Sequence, residues 1–174
     1  MWYDKAMVAK TDKKQKQTGR GEGAIKMISK NRRATYDYAV EEKFEAGIVL
    51  VGSEVKSLRG GKCEMVDSFG QIERGEAWLK QMYIPPFEQA RAFPHEPRRN
   101  RKLLLNVKEI ERIAKAVDRE GYTLIPMEVY FKGSHVKILL GLARGKKTHD
   151  KRHDIAKKTA DREARADIVR ARKQ

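Results

Sequence analysis

The sequence predicts a mainly β protein: an OB-like, closed antiparallel β-barrel with peripheral helices and a disordered basic tail at each end. Two observations lead to this prediction. Several short segments alternate apolar and polar residues between tight turns, whereas only two segments of the same region have helical spacing. The positive charge is concentrated at the two ends of the 174 residues. Closing such short strands into a barrel would remove exposed sheet edges.

The charge distribution divides the chain into three regions. Of the formal net charge of +15, residues 1–30 hold eight Lys/Arg against three Asp/Glu, and residues 145–174 hold eleven against five. Residues 31–144 are nearly balanced, with 20 against 16. Lysine-rich polar segments bury too little apolar surface to offset the entropy of ordering. We therefore expect a disordered arm over 1–30, the barrel over 31–144 and a basic tail over 145–174.

Short strands and turns account for the first part of the barrel. Alternation of Tyr36, Tyr38 and Val40 with small or polar residues predicts a strand, and the apolar run over 48–51 predicts a buried one. The segment GSEVKSLRGG, residues 52–61, has apolar residues at helical spacing and closes on two glycines. It predicts one or two helical turns.

A hairpin and a basic loop follow. Residues 69–72 and 77–84 flank Glu73-Arg74-Gly75, which predicts two strands joined by a turn, and two prolines end the second strand. The proline-punctuated segment 88–102 predicts a basic loop that leads into the apolar residues 103–105.

The clearest helix is predicted over Val107–Glu120. Asn106 is a favourable N-cap, Glu109 stands at the capping-box position, and Gly121 suits the residue after the last turn. Two alternating strands follow, over 125–131 and 136–142. We expect Pro126 to sit at an edge or bulge, because proline cannot donate a ladder hydrogen bond.

Composition narrows the classes of function. Cys63 is the only cysteine, which excludes an intramolecular disulfide and a paired-cysteine zinc site and fits a reducing cytoplasm. No leader and no apolar run of bilayer length is present, so we expect a cytoplasmic protein without a membrane partner. The common phosphate-loop, dinucleotide, zinc-protease and serine-hydrolase motifs are absent. The basic charge suits a polyanion, with RNA, DNA and anionic membrane as candidates.

The tail over 145–174 carries two further patterns. His149 and His153 are four residues apart, the spacing that places two imidazoles on one helix face for a metal, although a solvated charged helix explains it equally. Asp154 with Lys158 has the acid-first order that supports a helix. Lys and Arg recur on every turn, and apolar residues are too few to dock the segment. We expect a helix that orders when phosphates neutralise it, against the alternative of a merely solubilising helix.

Long strings of the chain resemble one known family. NRRATYDY, EEKFEAGIVLVGSEVKSLRGG, DSF, RRNRKLLLN, YFKGSHVKI and LARGKKTHDKRHDI, spread over Asn31 to about Arg165, resemble the SsrA-binding protein family, small protein B. The resemblance implies an OB-like barrel that binds the tRNA-like domain of transfer-messenger RNA (tmRNA). It implies an adaptor without enzymatic activity, metal or cofactor.

The resemblance also implies a role on the ribosome. The charged RNA, with elongation factor Tu and GTP, reaches stalled ribosomes, where the basic tail enters the empty mRNA channel as a helix near the small-subunit decoding centre. Translation then resumes on a tag-encoding frame. A structural ribosomal protein with basic tails, and a metal-dependent RNA hydrolase using the two tail histidines, remain alternatives on composition alone.

Site residues follow from the matching strings. Glu45, Leu104 and Asn106 match positions of the family's RNA-binding surface, although chemistry alone would assign Asn106 to a helix cap. The predicted RNA-binding set also includes Lys56, Arg59, Arg99, Arg101 and Lys102. Gly145 and His149 fall where the family's tail passes the decoding centre. The predicted ribosome-binding set comprises Gly145, Lys146, Lys147, His149, Asp150, Lys151, Arg152, Lys157 and Lys158.

Overall fold

The computed structural model describes residues 25–88, 95–147, 159 and 162–163. Ten elements lie within these ranges. They are β1 (Ile25–Lys30), α1 (Arg32–Asp37), β2 (Tyr38–Ile48), α2 (Gly52–Arg59), β3 (Phe69–Glu73), β4 (Glu76–Lys80), β5 (Arg101–Leu104), α3 (Val107–Glu120), β6 (Thr123–Lys132) and β7 (His135–Gly145).

Six antiparallel strands form a closed ring. Their order is β6-β3-β4-β5-β2-β7, and pairing of β7 with β6 closes the ring. Strand β1 pairs with the C-terminal half of β6. The junction of β3 with β6 consists of one residue pair, Gly70 with Leu124. A Cβ on Gly70 would collide with the Leu124 side chain, so this close approach requires glycine. The predicted OB-like antiparallel barrel with peripheral helices is confirmed.

Inward-facing apolar side chains from every strand of the ring fill the barrel, because alternate residues of a strand face opposite sides. The fully buried ones include Leu79, Leu103, Leu124, Val129, Ile138 and Leu140. Helix α3 covers the barrel with Ile113, which is completely buried, and with Ile110 and Val117, which are partly buried against the same core.

Local signals around α3 and β6 are largely confirmed. The helix spans the predicted residues and ends at Gly121, whose φ of +66° is the left-handed conformation that favours glycine. The Asn106 backbone N–H donates to the Glu109 carboxylate at 2.9 Å. Asn106 occupies the predicted N-cap position and Glu109 the predicted capping-box position. A register shift after Pro126 confirms the expected bulge.

Two boundaries near the start of the barrel differ from the predictions. The predicted disordered arm over 1–30 extends too far, because residues 25–30 form β1. In this strand Ile28 packs against the core and Met27 pairs with Tyr130. Residues 1–24 lie outside the described residues. Tyr36, predicted in a strand, lies in α1. The Asn31 side chain accepts a hydrogen bond from the Ala34 N–H at 3.0 Å and starts this helix.

Two further segments were assigned to the wrong element. The run over 48–51 is not a buried strand: β2 ends at Ile48, and Val49 and Val51 are 46% and 44% exposed. The residues 101–102, predicted in a basic loop, begin β5 and pair with β4. The predicted strand over 77–84 also ends early, at Lys80. In each case pairing with a distant strand decides the boundary, and local composition does not report it.

Candidate RNA-binding surface

Two of the predicted RNA-binding residues lie together on the outside of the barrel. Glu45 is on β2, and Gly47, two residues further along, pairs directly with Leu104 of β5. The Leu104 side chain lies across Gly47, since a Cβ built there would be 3.2 Å from the Leu104 Cβ. Leu104 is nonetheless 54% exposed. An apolar side chain is thus held in solvent beside a carboxylate, as expected of a contact surface.

Three residues of β6 and β7 complete this patch, which we call the Glu45 face: Glu45, Leu104, Tyr130, Lys132 and Lys137. Tyr130 donates from its hydroxyl to Glu45 Oε2 at 2.5 Å, and Lys132 Nζ donates to Oε1 at 3.0 Å. Lys137 pairs with Tyr130 across β6 and β7 and with Gly47 across β2 and β7. The face therefore combines one carboxylate, two cations, one phenol and one leucine.

The hydrogen bonds of this face determine its protonation. The bond from Tyr130, followed by that from Lys132, holds the pKa of Glu45 below its ordinary value, against a smaller opposing effect of burial. Burial, and then the bond to Glu45, raise the pKa of Tyr130 to about 12. At neutral pH the glutamate is ionised and the tyrosine is a protonated donor. The Glu45 side chain is 37% exposed, so its carboxylate can accept further hydrogen bonds.

Reasoning from the sequence missed Tyr130, Lys132 and Lys137. The alternation along β6 placed Tyr130 and Lys132 on one face of that strand. Nothing in the local pattern indicated that Glu45 lies across from them, because that depends on the register of β7 between β2 and β6.

Lys102 and Asn106 extend the candidate surface beyond Leu104. Lys102 is two residues before Leu104 on β5, so the two side chains leave the same side of the sheet, and Lys102 Nζ pairs with the Glu76 carboxylate. Asn106 is exposed at the start of α3, two residues after Leu104. Lys102 and Leu104 therefore share the outer side of β5, and Asn106 is exposed just beyond the end of that strand.

The prediction of Arg101 as an RNA contact is wrong. Its side chain is 0% exposed, because the alternation of β5 turns it into the barrel. Its Nε donates to Glu54 Oε1 at 2.8 Å, and its two terminal nitrogens donate to the carbonyl oxygens of Met82 and Pro97 at 2.6 and 2.9 Å. The guanidinium has no surface left for a phosphate.

Arg99 shares the same buried carboxylate. Its Nη2 donates to Glu54 Oε2 at 2.5 Å and its Nε to Oε1 at 2.9 Å, leaving the side chain 28% exposed. Burial opposes ionisation of Glu54, but the hydrogen bonds from Arg99, the Val51 N–H and Arg101 outweigh it and hold its pKa below the ordinary value. Burial lowers the pKa of Arg101, and Glu54 opposes that change. We call Glu54, Arg99 and Arg101 the buried triad.

Lys56 and Arg59 lie elsewhere, exposed on α2. Lys56 Nζ is 5.6 Å from the centre of the Phe87 ring, a cation–π distance. Among the described residues, Glu54 connects α2 to Arg99. No contact in this part of the chain connects Lys56 or Arg59 to Glu45. The predicted RNA-binding set is thus split between the outer side of β2 and β5 and the surface of α2.

Within the tail the structure describes residues 145–147, 159 and 162–163. Gly145 ends β7, and Lys146 donates from its backbone N–H to the Asp37 carbonyl and from Nζ to the Thr35 carbonyl, both at 2.9 Å. Lys147 is exposed. The other predicted tail residues lie outside the described residues: His149, Asp150, Lys151, Arg152, Lys157 and Lys158.

Over residues 25–88 and 95–147 no group of three or more His, Cys, Asp or Glu side chains is placed to hold a metal ion. Helices in this part of the chain are all too short or too polar to span a bilayer. His149 and His153 lie outside the described residues.

A closed OB-like barrel, an outer face of paired charges with an exposed leucine, and a basic segment leaving its last strand define a nucleic-acid-binding barrel protein. The family model described as SmpB protein matches residues 28–170. The chain belongs to the SmpB family.

Individual relatives agree with this assignment. The SsrA-binding protein of Roseiflexus castenholzii is 51% identical over 156 residues, covering 89% of this chain and 96% of the relative. That of Desulfitobacterium hafniense is 52% identical over 139 residues, covering 80% and 89%. A solved structure described as "tmRNA-SmpB: a journey to the center of the bacterial ribosome" aligns with a TM-score of 0.59 and 48% identity, covering 69% of this chain and 85% of that chain.

Proposed function

We propose that this protein is an RNA-binding adaptor of trans-translation, which binds the tRNA-like domain of tmRNA and brings it to stalled ribosomes. The single observation that carries the proposal is membership of the SmpB family over residues 28–170. The surface chemistry supports RNA as the partner, while the family identifies which RNA. We further propose that the protein acts in the cytoplasm, where ribosomes are.

The Glu45 face is the proposed RNA-selecting surface. A carboxylate repels phosphates, so an ionised Glu45 inside an RNA interface must accept hydrogen bonds from base N–H groups or ribose hydroxyls. Lys132 and Lys137 supply positive charge to neighbouring phosphates. Leu104 offers apolar surface to a sugar or base. Affinity from the cations and discrimination from the carboxylate are thus combined on one patch.

The tail is the proposed ribosome-binding element. Eleven Lys/Arg over residues 145–174 suit the phosphate-lined mRNA channel, which is available only when no message fills it. The partners proposed for this stage are the decoding centre of the small subunit and elongation factor Tu with GTP, the latter through the charged tmRNA. The residues proposed to bind there are the tail set from Gly145 to Lys158.

Deleting residues 148–174 separates the two roles, since it retains the Lys146 contacts to α1. We expect the truncated protein to bind the isolated tRNA-like domain within about twofold of the full chain, because the barrel is intact. We expect it to lose peptide tagging on ribosomes stalled on a message without a stop codon. Filter binding and an in vitro tagging reaction measure the two outcomes. A collapse of RNA binding would overturn the division of labour.

Two controls address the remaining alternatives. A structural ribosomal protein would be stoichiometric on all ribosomes in a sucrose gradient, whereas a rescue adaptor is substoichiometric and enriched on stalled ones; the family match does not favour the structural role. Metal analysis and an RNA cleavage assay of the full chain test the hydrolase. We expect neither bound metal nor cleavage, and His149→Ala with His153→Ala identifies the source of any activity found.

A further inference from the structure

Helix α1 is rigidly tied to the barrel through Asn31. This asparagine is 6% exposed, and its side-chain nitrogen donates to the carbonyl oxygens of Met65 and Pro126 at 3.1 and 3.2 Å. Its backbone N–H donates to the Met127 carbonyl at 2.8 Å, and its side-chain oxygen caps α1. The start of the helix is thus fixed by four hydrogen bonds, and Ala34 is buried beneath it.

The backbone carbonyl groups at the C-terminal end of α1 accept hydrogen bonds, two of them from a residue far along the chain. The Ala34 carbonyl accepts from the Tyr38 N–H, which is the helix's own cap. The Thr35 carbonyl accepts from Lys146 Nζ, and the Asp37 carbonyl accepts from the Lys146 backbone N–H. The last turn of α1 contains no basic residue of its own, so Lys146 supplies the cation that a helix C-terminus favours.

We propose that Lys146 is a positioning residue that sets the direction in which the basic tail leaves the barrel. The inference rests on the proposed function, in which the tail must meet a channel while the barrel holds RNA. Lys146 is the first residue after β7, and it is held at two points, backbone and side chain, on a helix that is itself fixed to the barrel. The rest of the tail, from Lys147 onwards, is attached to this anchored residue.

Anchoring the first tail residue restricts the orientations available to all that follow. A chain that leaves the barrel in one direction needs less ordering when it binds than one that samples many directions. These two contacts of Lys146 with α1, which we call the clamp, therefore act through the rest of the tail, and this role is separate from the ribosome contact proposed above for Lys146.

The experiment measures tail direction and tail function in the same full-length variants. Two nitroxide labels, at Gln71→Cys on β3 and Thr148→Cys just past the clamp, are placed in a Cys63→Ser background, and double electron–electron resonance gives their distance distribution. Lys146→Met removes the Nζ donor at similar length, Lys146→Arg keeps a donor, and Lys147→Met removes the same charge one residue later.

We expect Lys146→Met to broaden the distance distribution, Lys146→Arg to keep the width of the parent, and Lys147→Met to broaden it less than Lys146→Met does. Lys146→Met should also lower tagging on stalled ribosomes by about fivefold or more, the effect of losing one charge-assisted hydrogen bond. Lys146→Arg should restore tagging, and binding to the isolated tRNA-like domain should be unchanged. Restoration by arginine separates positioning from a general loss of structure.

Two results would overturn the inference. One is an unchanged width in Lys146→Met; the other is broadening by Lys147→Met equal to that of Lys146→Met. Reduced tagging at unchanged width would assign Lys146 to direct ribosome contact instead. Failure of the proposed tail function is distinguishable, because tagging would then survive deletion of residues 148–174, while the distance measurement would still judge the clamp.

Discussion

Two glutamates of the barrel, Glu45 and Glu54, have similar partners and opposite surroundings. Each carboxylate accepts hydrogen bonds from two side chains, and each has a pKa held below its ordinary value. Glu54 is 0% exposed between Arg99 and Arg101, whereas the Glu45 side chain is 37% exposed between Tyr130 and Lys132. The same chemical group is therefore structural in one place and available to a partner in the other.

The difference shows what burial does to an ion pair. In the buried triad the desolvation of Glu54 and Arg101 has already been met on folding, and removing Glu54 leaves Arg101 without its charge partner out of water. On the Glu45 face water still reaches the pair, so the pair adds little to stability. Its charges and hydrogen-bonding capacity remain available for RNA.

Of the substitutions that test this contrast, Glu54→Ala has the largest expected effect. It leaves Arg101 buried without its carboxylate, so we expect the free energy of unfolding to fall by about 3–5 kcal/mol. Glu42→Ala, which breaks an exposed 3.0 Å pair with Arg112, is the matched control and should cost at most about 1 kcal/mol. Urea unfolding measures both variants. Equal losses would mean that burial does not separate the two kinds of pair.

Acid titration examines the same triad without removing an atom. Because the pKa of Glu54 is lower in the folded protein than its ordinary value of 4.5, the carboxylate stabilises the fold above that value. This contribution is lost as the pH falls through the folded-state pKa. We expect the unfolding free energy of the parent to drop more steeply below pH 4.5 than that of Glu54→Gln, whose amide does not titrate. Parallel curves in urea titrations at successive pH values would contradict this.

Glu45→Gln should have the opposite profile, affecting RNA more than stability. Losing the charge weakens the hydrogen bonds accepted from RNA, so we expect the affinity for the tRNA-like domain to fall by about fivefold to tenfold. The free energy of unfolding should change by less than about 0.5 kcal/mol, as for other exposed positions. Glu73→Gln, which alters the exposed pair with Lys80, is the control and should leave affinity unchanged. An affinity equal to that of the control would remove Glu45 from the interface.

The smallest expected effect is that of Tyr130→Phe. Without the phenol hydrogen bond, the largest cause of the lowered pKa, the pKa of Glu45 should rise towards 4.5. Carboxyl-carbon NMR titration measures this rise, with Tyr83→Phe as a control on another surface. RNA affinity at neutral pH should fall by only about twofold, because Glu45 stays ionised. An unchanged pKa would show that Lys132 alone maintains the carboxylate.

Several elements followed from local sequence. The bounds of α3 were correct because the N-cap position, the apolar stripe and Gly121 are all local signals. Strands β6 and β7 were found from alternation, and the bulge after Pro126 from the missing amide hydrogen. Helix α1 was missed because its six residues follow Asn31, an N-cap whose other partners are carbonyls of Met65 and Pro126 that only the folded chain brings near.

The sequence by itself determined the class of this protein: a β-barrel with basic ends, and family strings that pointed to Glu45, Leu104 and Asn106. Only the tertiary structure decided which charged side chains are exposed and can contact RNA. Arg101 and Lys102 are adjacent and both positively charged, yet Arg101 is buried against Glu54 and Lys102 faces outward. Strand alternation separates neighbours, but which of them faces the core, and which carboxylate it meets there, depends on the register of strands far apart in the chain.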